Sequence, residues 1–74
     1  MARDYEHIKK SLSVNIKALR TEAGLSQEQL ALRADVDRTY VSQIERAVGN
    51  PSLLVLSKLA TILDVDLLQL LKES

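Results

Sequence analysis

Helical periodicity that keeps being interrupted is the feature that most limits how this chain can fold. Apolar residues at Ile8, Leu12, Ile16, Leu19 and Ala23 step by four, four, three and four, which lays one stripe along an amphipathic helix. Gly24 follows the stripe, where a left-handed C-terminal cap belongs, and Leu25 is placed to fold back onto the helix. A first helix is therefore predicted over about Tyr5 to Ala23. Ser26 reads as an N-cap, with Gln29 three residues on completing a capping box. The helix it opens, Gln27 to Ala34, turns Leu30, Ala31 and Ala34 inward. Asp35-Val36-Asp37 breaks that pattern, and Asp37 caps a third helix over Arg38 to about Arg46, with Val41 and Ile44 on its apolar side. Ala47 to Pro51 reads as a loop. Ser52 caps a fourth helix, whose inward residues are predicted as Leu53, Leu56, Leu59, Ala60 and Leu63. Asp64-Val65-Asp66 breaks the pattern again, and Asp66 caps a short fifth helix reaching about Lys72, with Val65, Leu67, Leu70 and Leu71 closing the core. Five helices with short connections over residues 1–74 predict one compact all-α domain.

A core built from 74 residues is small, and no cysteine is present to brace it with a disulfide or a thiolate metal site. Burial of a shared surface in a dimer is the remaining common source of stability. No apolar stretch approaches a membrane span, and Met1 to Tyr5 lacks the apolar run of a signal peptide, so a cytoplasmic location is expected. His7, the only histidine, sits beside Glu6 and reads as a surface residue. Neither Ser26 nor Ser52 has a histidine to activate it, and no phosphate loop, metal-ligand spacing or triad occurs. The sequence therefore gives no reason to expect an enzyme, a metal or a cofactor.

The two short helices joined across Asp35-Val36-Asp37 are the physical minimum of a helix-turn-helix, over about Gln27 to Arg46. Ala31 is small where two such helices cross, and Asp35 tolerates the positive φ that the turn requires. With Val36, Val41 and Ile44 facing inward, the third helix presents Arg38, Thr39, Ser42, Gln43 and Arg46 outward, all able to donate hydrogen bonds. That pattern points to double-stranded DNA read in the major groove. The charge does not supply the usual basic footprint. Net charge is zero, and Glu22 to Arg46 carries three basic residues against five acidic ones, although residues 1–20 hold Arg3, Lys9, Lys10, Lys17 and Arg20 against Asp4 and Glu6.

Three runs make the pattern specific: Leu25-Ser26-Gln27-Glu28-Gln29-Leu30-Ala31, Tyr40-Val41-Ser42-Gln43-Ile44-Glu45-Arg46 and Asn50-Pro51-Ser52-Leu53. Through them, residues 16–71 resemble the five-helix, lambda-repressor-like domain of phage repressors and Cro proteins, the XRE type. Asp37-Arg38-Thr39-Tyr40 followed by Ile44-Glu45-Arg46 most resembles the controller proteins of restriction–modification systems. The resemblance implies base contacts from Arg38, Thr39, Ser42 and Gln43, with Arg38 suited to guanine and Gln43 to adenine. It implies DNA-backbone contacts from Gln27, Arg46 and Asn50. Tyr40 is open between a backbone contact and packing on the second helix. Arg20 and Glu45 match a pair that forms an internal salt bridge in the family. Glu28 matches an acidic position that phage repressors use to touch RNA polymerase.

The implied function is a homodimeric transcriptional repressor or activator on a palindromic operator, autoregulating its own promoter. Leu68, where relatives place an acidic residue, and Leu54 are the expected dimer contacts, with helices four and five (about 52–72) forming that side. The alternative is an antitoxin that neutralises a partner toxin and represses its own operon, for which a chain ending at Ser74 leaves little to grip the toxin. Two departures stand out: Asp35 replaces the usual turn glycine, and Ala47 and Val48 stand where a glycine and a basic residue are usual. With neutral charge, the slope of log affinity against log salt is expected to be shallower than in basic relatives. A titration of DNA binding across salt concentrations checks this, and a steep slope contradicts it.

Overall fold

The computed structural model describes residues 2–74 and contains five α-helices: α1 Tyr5–Glu22, α2 Gln27–Ala34, α3 Arg38–Glu45, α4 Leu53–Leu63 and α5 Leu67–Leu71. No strand occurs among the described residues. Each helix begins where a polar cap precedes it. Asp4 accepts from the His7 N–H, Ser26 and Gln29 form the reciprocal capping box, Asp37 accepts from Thr39, and Ser52 accepts from Val55. At the fifth start, the Asp66 N–H donates to Gln69 Oε1 at 2.8 Å.

Four of the helices end in the same way. A residue in the left-handed region closes the last turn: Gly24 (φ +75°), Asp35 (+57°), Ala47 (+57°) and Asp64 (+58°). The N–H of the following residue reaches back five positions, Leu25 to Arg20, Val36 to Ala31, Val48 to Gln43 and Val65 to Ala60, at 3.0–3.1 Å. This pairing satisfies carbonyls that a bare helix end would leave open. The residue past the turn then folds inward in three of the four cases, Leu25 being buried and Val36 and Val65 half-buried, while Val48 stays exposed. Reversals this tight turn the chain straight back on itself, and the helices pack α2 on α3, α1 on α3 and α5, and α4 on α2 and α5, so a short chain can enclose a core.

That core comprises Leu12, Ile16, Leu25, Leu30, Ala31, Ala34, Val41, Ile44, Leu56, Leu59, Ala60 and Leu70. Ile16, Leu30, Val41, Leu59 and Leu70 are wholly buried, each contributing about 1.5–3 kcal/mol. α1 carries the frame. Its Asn15 donates to the Leu70 and Lys72 carbonyls at 3.0 and 2.7 Å, and Arg3 donates to the Leu71 carbonyl at 2.8 Å. These bonds tie down the end of the five-residue α5, which is too short to hold itself.

Two inward assignments are corrected. Ala23 is exposed, because α1 stops at Glu22 and Ala23 lies in the reversal. Leu53 is 68% exposed, because α4 has left the core in its first turn, where the half-buried Val55 faces inward instead. The left-handed Ala47 is the costly reversal, since a β-carbon there meets the following carbonyl at about 1–2 kcal/mol. Ala47→Gly relieves that clash while giving back some unfolded-state entropy. It is expected to stabilise by about 0.5–1 kcal/mol, seen as a rise of a few degrees in melting temperature. A lower melting temperature would contradict the strain at Ala47.

Candidate nucleic-acid interface

α2 and α3 are joined by the tight reversal at Asp35, and α3 is packed from below by fully buried Val41 and by Ile44. Those two anchors decide which way the rest of α3 faces. Arg38, Thr39, Tyr40 and Arg46 are exposed, and Ser42 and Gln43 are half-buried at the edge of the same surface. Positions 38, 39, 42, 43 and 46 recur at helical spacing, so one face of α3 carries a continuous row of polar side chains. All four residues expected to meet base edges are brought together there.

The orientation of α3 is held by polar contacts at its end. Glu45 takes Arg20 in a two-pronged pair, Nε to Oε2 at 2.5 Å and Nη2 to Oε1 at 2.9 Å. Arg20 Nη1 also donates to the Leu25 carbonyl at 2.8 Å, and Gln27 Nε2 donates to Glu45 Oε1 at 3.1 Å. Ser13 Oγ donates to the Glu45 carbonyl at 2.6 Å, adding a second tie from α1 to the end of α3. The Arg20 and Glu45 side chains are 14% and 5% exposed. Burial pushes the Glu45 carboxyl up, but hydrogen bonds from Arg20 and Gln27 and the charges of Arg20 and Lys17 outweigh it, leaving it below the ordinary value of 4.5. Its bond to Glu45 raises Arg20 against the opposing effect of burial.

Gln27 stands at the start of α2, as expected, with one amide hydrogen committed to Glu45. Tyr40 is 44% exposed and borders a shallow cleft with Gln43, Val48, Asn50 and Pro51, on the side of the loop that follows α3. In that loop Gly49 has φ +79°, and an added β-carbon would lie 3.1 Å from Gln43 Oε1, so the backbone passes close against this side chain. Arg46 folds back toward its own helix, with Nε 3.4 Å from the Ser42 carbonyl. Asn50 is exposed and accepts a hydrogen bond from the Tyr5 hydroxyl. Asp37 lies at the edge of the polar row; the Thr39 backbone N–H at 2.8 Å holds its carboxyl below the ordinary range. Glu28 is exposed on the outer side of α2, as is Leu32 one turn on. Leu54 and Leu68 are exposed on α4 and α5. Sequence reasoning passed over Ser13 and Tyr5. Both act on residues more than thirty positions away, and neither stands in a recognisable spacing.

The helix-turn-helix family model matches residues 16–70. A hypothetical transcription factor from Neisseria meningitidis serogroup B is 40% identical over 68 residues, covering 92% of this chain and 64% of that protein. The crystal structure of a hypothetical transcription factor, NHTF, from Neisseria superposes with a TM-score of 0.87 at 37% identity, covering 99% of this chain and 84% of that one. The restriction–modification controller protein C.AhdI of Aeromonas hydrophila superposes at 0.79 with 42% identity, covering 84% and 94%. The biofilm regulator SinR, solved in complex with DNA, superposes at 0.77 with 40% identity, covering 82% and 98%. The chain spans between about half and two thirds of the length of the first curated relatives it matches.

The lowered Glu45 value sets a pH dependence. A carboxylate held below its unfolded value stabilises fully above that value, and the contribution disappears as pH falls through the folded value. Glu45→Gln is expected to cost about 2–3 kcal/mol near neutrality, because Arg20 loses its countercharge. The gap between the two proteins should narrow below about pH 4.5 as wild-type Glu45 protonates. Melting temperatures of both across pH 3–7 check this; parallel curves would contradict it.

Proposed function

The chain belongs to the helix-turn-helix family HTH_3, and on that premise we propose that it is a sequence-specific transcriptional regulator that binds double-stranded DNA as a homodimer. The observation that carries this reading is the single polar face of α3, set by buried Val41 and Ile44 and by the Arg20–Glu45 pair. In the proposal α3 enters the major groove. Arg38 pairs with guanine O6 and N7, Gln43 pairs with adenine, and Thr39 and Ser42 fill the remaining base edges. Gln27 meets a phosphate with its second amide hydrogen, helped by the N–H groups at the start of α2, while Tyr40, Arg46 and Asn50 meet the backbone.

With zero net charge, a single copy has little non-specific attraction to add to these contacts. Two copies on a palindrome, with recognition helices about 34 Å apart, multiply them. Leu54 and Leu68 are 66% and 73% exposed, and with Leu53 at 68% they supply apolar surface on α4 and α5 for that pairing. The similarity to C.AhdI favours a restriction–modification controller that regulates its own promoter, acting in the cytoplasm. Were it an activator, Glu28 on the outer side of α2 would be the residue to meet RNA polymerase. The relatives described above favour a regulator over an antitoxin, and no catalytic role is proposed. No helix among the described residues is long and apolar enough to cross a membrane.

Selection of binding sites from random duplexes, repeated with variants, tests the readout. Arg38→Ala and Gln43→Ala are each expected to cost about 1–3 kcal/mol and to relax preference at one base pair. Loss of affinity with the preferred bases unchanged would remove both residues from base recognition. Leu68→Glu is expected to yield monomer in sedimentation at micromolar concentration and to weaken operator binding. A monomeric wild type, with binding unharmed by Leu68→Glu, would overturn the dimer.

A further inference from the structure

Asn50 depends on its carboxamide pointing the right way. Phosphate oxygens only accept hydrogen bonds, so a backbone contact from Asn50 must run through Nδ2; a flipped amide would present Oδ1 to the phosphate and repel it. The main chain at Asn50 is restricted by the following Pro51, but nothing in that restriction chooses between the two amide orientations. The bias comes from the far end of the chain, because a phenol hydroxyl donates more readily than it accepts and so favours the amide oxygen over the amide N–H. Tyr5, in the first turn of α1, donates its hydroxyl hydrogen to Asn50 Oδ1. With Oδ1 occupied, both hydrogens of Nδ2 remain to point outward.

The Tyr5 ring is itself held. Lys9, one turn along α1, places Nζ 4.9 Å from the ring centroid. The same ammonium lies 3.3 Å from Glu6 Oε1, and the Lys9 side chain is only 16% exposed. Glu6 offsets the charge of Lys9, so this lysine serves the ring more than it serves as a free cation for DNA.

We infer that Tyr5 is a positioning residue for DNA binding: steadied by Lys9, it orients the Asn50 amide so that Nδ2 faces the phosphate backbone. The inference rests on the proposed reading in which Asn50 meets that backbone. It also gives the N-terminal turn of α1, which lies outside the helix-turn-helix itself, a part in setting affinity. Because the contact is to phosphate, its effect is independent of sequence.

The test is a double-mutant cycle with Tyr5→Phe and Asn50→Ala, titrated on the best selected duplex and on a duplex altered at one preferred base. Tyr5→Phe keeps the ring under Lys9 and removes only the hydroxyl. It is expected to weaken binding about two- to tenfold on both duplexes alike, with the salt slope unchanged. Asn50→Ala should weaken binding at least as much, and the double variant should bind no worse than Asn50→Ala alone. In the free protein, the Asn50 side-chain amide resonances should shift in Tyr5→Phe. Titrations run well below the melting temperature of the weakest variant keep a stability loss from imitating the coupling. Tyr5→Phe binding like wild type, or losses that simply add, would overturn the inference while leaving base readout by Arg38 and Gln43 standing. Asn50→Ala binding like wild type would overturn it by removing Asn50 from the interface. Failure of the wild-type chain to prefer any duplex would take down the regulatory reading itself.

Discussion

One carboxylate organises the helix-turn-helix side of this molecule. Glu45, at the end of α3, receives Arg20 from α1 and Gln27 from α2, so three helices meet on two oxygen atoms. Burying such a pair removes solvation from both charges, and replacement by well-packed apolar residues is often neutral or stabilising. Its value here is geometric. Val41 and Ile44 press α3 against the core but leave it some freedom to roll and slide, as apolar contacts generally do. Directional bonds at Glu45 remove that freedom, and the row from Arg38 to Arg46 inherits a fixed aim.

The same economy appears in the reversals. Ending four helices with one left-handed residue each keeps the connections short and returns the chain directly to the core. Only Gly24 meets this conformation without a β-carbon; Asp35, Ala47 and Asp64 accept some strain for it. The reversals at Asp35 and Ala47 bracket α3, so the polar face is bounded at both ends by tight turns. The second of these leads into the loop that carries Gly49 and Asn50 beside Gln43. The residues proposed to meet base edges and those proposed to meet the DNA backbone thus stand on adjoining pieces of chain.

Much of this was legible in the sequence, and the reasons are local. Ser26 with Gln29, Asp37 and Ser52 announce helix starts because a cap acts on residues two or three positions away. The outward row on α3 follows from the period of Val41 and Ile44. Periodicity does not say where a core ends, and for that reason Ala23 and Leu53 fit the inward pattern yet lie exposed. The pair Arg20–Glu45 was legible only through resemblance to a family. Polar contacts between distant positions leave no periodic trace, and so Ser13 at the Glu45 carbonyl, Asn15 at the end of α5 and Tyr5 at Asn50 came from the structure alone. The left-handed Ala47 was hidden for a different reason, since alanine, unlike glycine, asparagine or aspartate, gives no signal for that conformation.

In the proposed reading a neutral chain binds DNA by placement, and placement depends on the aim of α3. The most direct test replaces the pair with apolar side chains in the variant Arg20→Met/Glu45→Met and measures folding stability and operator affinity together. If the pair serves orientation, stability should stay within about 1–2 kcal/mol of wild type while operator affinity falls at least about tenfold. A variant that folds as stably as wild type and binds its operator equally well would show that α3 is aimed by its apolar packing alone.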